Sequence, residues 1–163
     1  MPDVQRIVIS NTTPIITLAL IQKLVLYKEL YGEVLIPPTV KAELLAGGSR
    51  AGASEIQNAR YIRTAPLLDP RRADLLSDLD RGEAEVIALA MEHNADLVII
   101  DERLARRHAQ RVGLYVTGVL GVLLRAKQQA LLDEIHPLIH QLRQSGIRFS
   151  DAHIKQVLEM ADE

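Results

Sequence analysis

The chain has 163 residues, 48% hydrophobic and 25% charged, a usage that fits one packed domain and argues against disorder. It has no cysteine, which excludes disulfides, thiolate metal sites and thiol nucleophiles and suits a reducing cytoplasm. A net charge of -2 excludes a globally basic binder of polyanions, so any contact with nucleic acid has to come from a local patch.

Arg6-Ile7-Val8-Ile9-Ser10 is a short β-branched run closed by polar residues, as a buried strand would be. Thr13-Pro14 then predicts a helix start, with a hydroxyl cap and a proline where a missing N–H does no harm. The apolar run 15–21 continues that helix and is far shorter than the roughly 20 residues of a membrane span. Asn11 to Pro14 and Asp3 break the pattern of a signal peptide.

Leu24, Tyr27, Leu30 and Tyr31 recur at helical spacing and are closed by Gly32. Glu33-Val34-Leu35-Ile36 reads as a second strand stopped by Pro37-Pro38, and Pro38 opens a helix over 39–46 that ends at Gly47-Gly48. The small, polar stretch 49–52 is the expected mobile loop. A short helix over 54–60 and a weak strand over 61–64 follow, and Asp69-Pro70 caps another helix containing Leu75 and Leu76.

The next unit is the most informative. Asp80-Arg81-Gly82-Glu83 has the form of a capping box, the helix runs to a tight loop at 93–95, and Leu97-Val98-Ile99-Ile100 is an apolar strand ending on Asp101. A basic helix over 102–109 leads to a last strand at 114–116, which ends on Thr117-Gly118. Helices are expected over 119–127 and 131–142, the second with Ile135, Leu138, Ile139 and Leu142 on one face, and Ser150 caps a final amphipathic helix.

Strands alternating with helices predict an α/β sandwich on a mainly parallel sheet, in a single domain over 1–163 whose C-terminal helices, 131–163, form an extension. In such a sheet the loops at the carboxyl ends of the strands form the ligand crevice. Asn11 and Asp101 end strands there, and Glu83 begins the helix returning to the sheet on that side. Acids crowded on one rim repel one another, and a hard divalent cation such as Mg²⁺ or Mn²⁺ relieves the repulsion.

Ile9-Ser10-Asn11-Thr12-Thr13-Pro14-Ile15-Ile16, Leu35-Ile36-Pro37-Pro38-Thr39-Val40-Lys41-Ala42-Glu43-Leu44, Gly82-Glu83-Ala84-Glu85-Val86-Ile87-Ala88-Leu89-Ala90 and Leu97-Val98-Ile99-Ile100-Asp101 together resemble a PIN domain. They are similar in particular to the PIN-like group of bacteria and archaea often found in toxin–antitoxin operons. The resemblance implies a three-layer sandwich with five parallel strands in the order 3-2-1-4-5. It also implies an Mg²⁺- or Mn²⁺-dependent ribonuclease whose four acid positions fall on Asn11, Glu43, Glu83 and Asp101. Asn11 departs from the family's Asp: an amide oxygen still suits a hard cation but brings no charge and no base.

Thr12 or Thr13 would then orient a metal-bound water, and Arg103, Arg106 and Arg107 would contact RNA phosphates without reading bases. The scarcity of Phe and Trp argues against a base-stacking platform. The C-terminal amphipathic faces suit a homodimer contact or an antitoxin protein.

Each residue also has a plainer reading. Glu83 completes a capping box, Asp101 caps the helix after it, Asn11 is a turn residue and Glu43 an exposed helix charge. His136 and His140, one turn apart with Pro137 between them, read as surface histidines rather than a Zn²⁺ site. At the level of the whole chain the alternative is a catalytically impaired PIN fold that binds RNA or protein. A phosphoacceptor domain is a weaker rival, because Thr117-Gly118 stands where its lysine belongs.

Overall fold

A computed structural model describes residues 6–48 and 50–163. The predicted 49–52 loop is therefore seen only in part, with Ser49 outside the described residues. Five short strands, β1 Val8–Ser10, β2 Val34–Ile36, β3 Ile62–Thr64, β4 Leu97–Ile99 and β5 Val116–Thr117, form one parallel sheet in the order 3-2-1-4-5. The central β1 is wholly buried because helices cover both sheet faces, which is why it reads as a continuous apolar run rather than an alternating one. β3, at one edge, is largely exposed; its Arg63 pairs with Glu33 at 3.1 Å.

The first helices are α1 Thr12–Leu20, α2 Leu26–Tyr31, α3 Pro38–Ala46, α4 Ala53–Asn58 and α5 Arg71–Asp74. They are followed by α6 Arg81–His93, α7 Arg103–Arg111, α8 Val119–Gln128, α9 His136–Gln144 and α10 Asp151–Met160. The interior is aliphatic, built from residues such as Ile9, Ile15, Leu18, Ile87, Ile99 and Leu120. Tyr27 is fully buried, and its hydroxyl lies 2.8 Å from Ser10 Oγ. Ser10 Oγ in turn donates to the Asn11 carbonyl at 2.9 Å, which pins the end of β1.

Four expectations shift. The helix after Asp69-Pro70 ends at Asp74, so Leu75 and Leu76 fall outside it, Leu75 in solvent. α1 starts at Thr12 with Asn11 in the cap position, so Thr13 is inside the helix rather than its cap. The helix expected over 131–142 begins only at His136, because Pro137 lacks an N–H and belongs in a first turn. The last strand is shorter and later than 114–116. α10 packs on α8, and the Glu163 carboxylate accepts from the free N–H groups of Ile135 and His136 at 2.8 and 2.9 Å, closing the start of α9.

Candidate metal and nucleic-acid site

The carboxyl edge of the sheet brings the ends of β1 and β4 together. The Asn11 N–H donates to the Ile99 carbonyl at 3.0 Å. The residue is only 6% exposed, and its side chain makes no cap bond to the first turn of α1.

Asp101 leaves β4 half-buried, and its Oδ1 accepts from the Val119 N–H at 3.1 Å, at the start of α8. It does not cap α7, as its plainer reading would have it; Glu102 does, accepting from the Ala105 N–H at 3.0 Å. Burial pushes the Asp101 carboxyl above the usual carboxylate range, against the opposing pull of the Val119 amide, Arg106 and His153. A Cβ on Gly118 would meet Asp101 Oδ1, so the carboxylate occupies the space a side chain there would fill.

Glu43 reaches the rim from the second turn of α3. Its Oε2 accepts from the Thr12 hydroxyl, and its Oε1 lies against Gly82, where α6 has no side chain. Neither α6 acid is idle. The predicted capping box is formed: Glu83 N–H donates to Asp80 Oδ1 at 2.8 Å, and Asp80 N–H to Glu83 Oε1 at 3.2 Å.

Burial first, then the Asp80 and Glu102 carboxylates, push Glu83 up to about 7, offset in part by the hydrogen bond from the Asp80 amide. Glu85 is neutralised instead, accepting from Thr39 N–H and Oγ1 at 3.2 and 2.7 Å and from Arg81 Nε at 2.9 Å. It ties α3 to α6 and has no free charge to offer.

The predicted positions are thus gathered unevenly. Glu43 sits with Thr12 and the first turn of α6, while Asp101 sits with the first turn of α8. Among the described residues no three His, Asp or Glu side chains stand together as a ready cage for an ion. The donors are nonetheless all oxygens of the type a hard cation takes, and Gly82 and Gly118 leave room beside two of them. Mg²⁺ is commonly held by one or two carboxylates, its remaining positions filled by water and phosphate. The residues fit that mode of binding.

A cleft of about 590 Å³ opens beside Asp101, between α7 and the segment that leads into α10. Arg103, Arg106 and Thr13 line it as the sequence suggested in part; Arg107 is exposed and does not. The rim therefore carries basic residues beside its acids. Arg106 is near Asp101 but forms no ion pair with it, and its Nη1 donates to the Ile100 carbonyl at 3.1 Å. Sequence reasoning missed Arg148, Phe149 and His153, which form the opposite wall. The one signal was the chain's single Phe set between an arginine and the Ser150 cap.

Among the described residues no helix is long and apolar enough to cross a membrane. No curated protein matches the chain. A family model described as a PIN domain matches residues 7–163, and PIN domains are generally nucleases that typically use divalent metal ions. With this match and a sheet in the order 3-2-1-4-5, the chain belongs to the PIN domain family.

Proposed function

We propose that the protein is an Mg²⁺- or Mn²⁺-dependent ribonuclease that hydrolyses RNA phosphodiester bonds at the carboxyl edge of its sheet. The observation that carries this is that β1 and β4 pair, setting Asn11 and Asp101 at adjacent strand ends on the carboxyl edge of the sheet, beside a cleft lined by arginines. Burial pushes Asp101 and Glu83 toward protonation there, and a bound cation would favour their charged forms. Glu43, Glu83 and Asp101 are the candidate ligands, of which one or two carboxylates with the Asn11 amide oxygen would hold the cation, water and phosphate filling its other positions. When bound, such an ion lowers the pKa of a water and offsets charge on phosphate oxygens.

The chain supplies the rest. Thr12 fixes the Glu43 carboxylate, Thr13 faces the cleft where a water or sugar hydroxyl would sit, and Arg103 and Arg106 offset phosphate charge. We also read the protein as a cytoplasmic toxin with an antitoxin partner, homodimeric through its C-terminal helices. Those readings rest on the family resemblance and the amphipathic faces.

Asn11 and the lack of a three-acid cage among the described residues favour a second reading, a PIN fold that binds RNA or protein without turnover. Cleavage of single-stranded RNA in Mn²⁺ separates the two. Wild type should cut, Asn11→Asp should cut at least as fast, and Glu83→Ala should lose activity by about 10²-fold or more, in line with loss of charge-stabilising groups elsewhere. An inert Asn11→Asp protein would leave the second reading standing.

A further inference from the structure

The cleft beside Asp101 has a composition that the acids at the rim do not explain. Arg103 and Arg106 come from α7, and Arg148 and His153 from the far end of the chain. Arg63, Arg71, Arg72, Arg81 and Arg143 each have an acidic partner. Arg103, Arg106 and Arg148 have none among the described residues, and Asp101 is the only acid lining the cleft. Three guanidiniums against one carboxylate leave this concave surface net positive, and a negatively charged ligand suits it.

Phe149 narrows the anion's identity. It is the chain's only Phe; it packs partly on the core, and its half-buried ring lines the same cleft. A planar aromatic face beside guanidiniums suits a base linked to a phosphate, since the ring stacks while the arginines take the charge. The carboxylates of an acidic peptide present no aromatic face on which the ring can stack. The cleft's size, about 590 Å³, falls within the roughly 300–1,000 Å³ usual for sites that enclose a small ligand.

We propose that this cleft is a nucleotide subsite: Arg103, Arg106 and Arg148 bind the phosphate of one residue of a single-stranded nucleic acid, and Phe149 stacks on its base. The wall that makes it is contributed by the C-terminal segment, which gives α9 and α10 a substrate-binding use beyond covering the sheet. A base in a duplex is already stacked and cannot reach Phe149, so the subsite selects unpaired strands. The inference rests on the nuclease reading only in taking RNA as the strand and Asp101 as the end toward which it runs.

Binding of a fluorescein-labelled single-stranded RNA, followed by anisotropy in EDTA, tests the subsite without turnover. Arg148→Glu should weaken binding at least about tenfold and flatten the salt dependence by about one phosphate's worth, a slope change of roughly 0.7. Phe149→Leu should cost at least about fivefold, the lower end for a stacked base. Arg60→Glu, exposed just before β3 on the opposite edge, should change affinity less than about twofold, as a charge that touches no phosphate directly. Thermal melts report folding, and Arg148→Ala replaces the charge reversal if that variant is unfolded.

Equal losses in Arg148→Glu and Arg60→Glu would overturn the proposal, as would duplex RNA or a poly-glutamate peptide binding as tightly as the single strand. If no RNA is cut in any divalent ion while Arg148→Glu still loses affinity, the subsite stands and the nuclease reading falls. If RNA is cut and Arg148→Glu binds like wild type, the nuclease reading stands and the subsite falls.

Discussion

A Cβ on Gly82 would stand 2.7 Å from Glu43 Oε1, so the carboxylate of α3 occupies the place of a side chain that α6 lacks. The nearest atom is the end of a flexible side chain, which can move when a methyl group arrives. Gly82→Ala should therefore fold at least as well as wild type, with a gain of up to about 1 kcal/mol from helix propensity. The displaced Glu43 would leave the Thr12 hydroxyl, and Mn²⁺ affinity should drop about tenfold, the scale for disturbing a ligand's support. Thermal melts beside calorimetric titration check both halves; a lower melting temperature with unchanged affinity would contradict the placement.

Glu83 gives a pH signature. Its carboxyl rises from 4.5 to about 7 on folding, so the folded chain takes up a proton between those values. The stability it contributes is complete below pH 4.5, declines as pH rises and is lost above about pH 7. Gln at this position keeps an oxygen for the Asp80 N–H and carries no charge. In EDTA, Glu83→Gln should melt with wild type near pH 5 and several degrees above it at about pH 8. Asp101 is raised as well, so its contribution too declines as pH rises above the ordinary carboxylate value.

Asn11→Asp places a carboxylate at a nearly buried strand end where the amide makes no cap bond. Without metal the variant should melt below wild type, because an unpaired charge at a site 6% exposed is costly. Saturating Mn²⁺ should raise its melting temperature more than it raises that of wild type, by ligand linkage. Equal shifts in the two proteins would place Asn11 outside the site.

The C-terminus closes α9 through one side chain. The Glu163 carboxylate, 11% exposed, accepts from Ile135 and His136 N–H and from Lys127 Nζ at 3.0 Å. Glu163→Ala should cost about 1–2 kcal/mol in urea unfolding, the usual range for a lost helix cap. These bonds hold its pKa below the ordinary value, against the opposing effect of burial. The contribution is therefore present above the ordinary carboxylate range and lost as pH falls through the lowered value. A variant as stable as wild type at neutral pH would show that α9 needs no such closure.

Much of the fold was legible because it rests on local chemistry. Strands buried on both faces must be apolar, so Val8–Ser10 and Leu97–Ile99 announced themselves, and the capping residues Asp80 and Ser150 marked helix starts that the structure keeps. The neighbouring strand ends that carry Asn11 and Asp101 were legible too, since a carboxyl-edge position follows from strand direction alone. What escaped was long-range. Nothing near Arg148 or Phe149 signals that α10 packs on α8 and carries that segment over to α7. Periodicity placed Leu131 inside a helix that Pro137 prevents from starting so early, and side-chain direction beyond helix spacing decided that Arg107 does not line the cleft.

Calorimetric titration of the metal-free protein with Mn²⁺ bears most directly on whether the rim is a cation site. Wild type should bind with saturable heat. Asp101→Asn, which keeps an acceptor for the Val119 N–H but removes the charge, should lose that binding while melting close to wild type. Saturable binding that survives Asp101→Asn unchanged, or a wild-type protein that takes up no Mn²⁺ at all, would contradict the assignment of Glu43, Glu83 and Asp101 as its ligands.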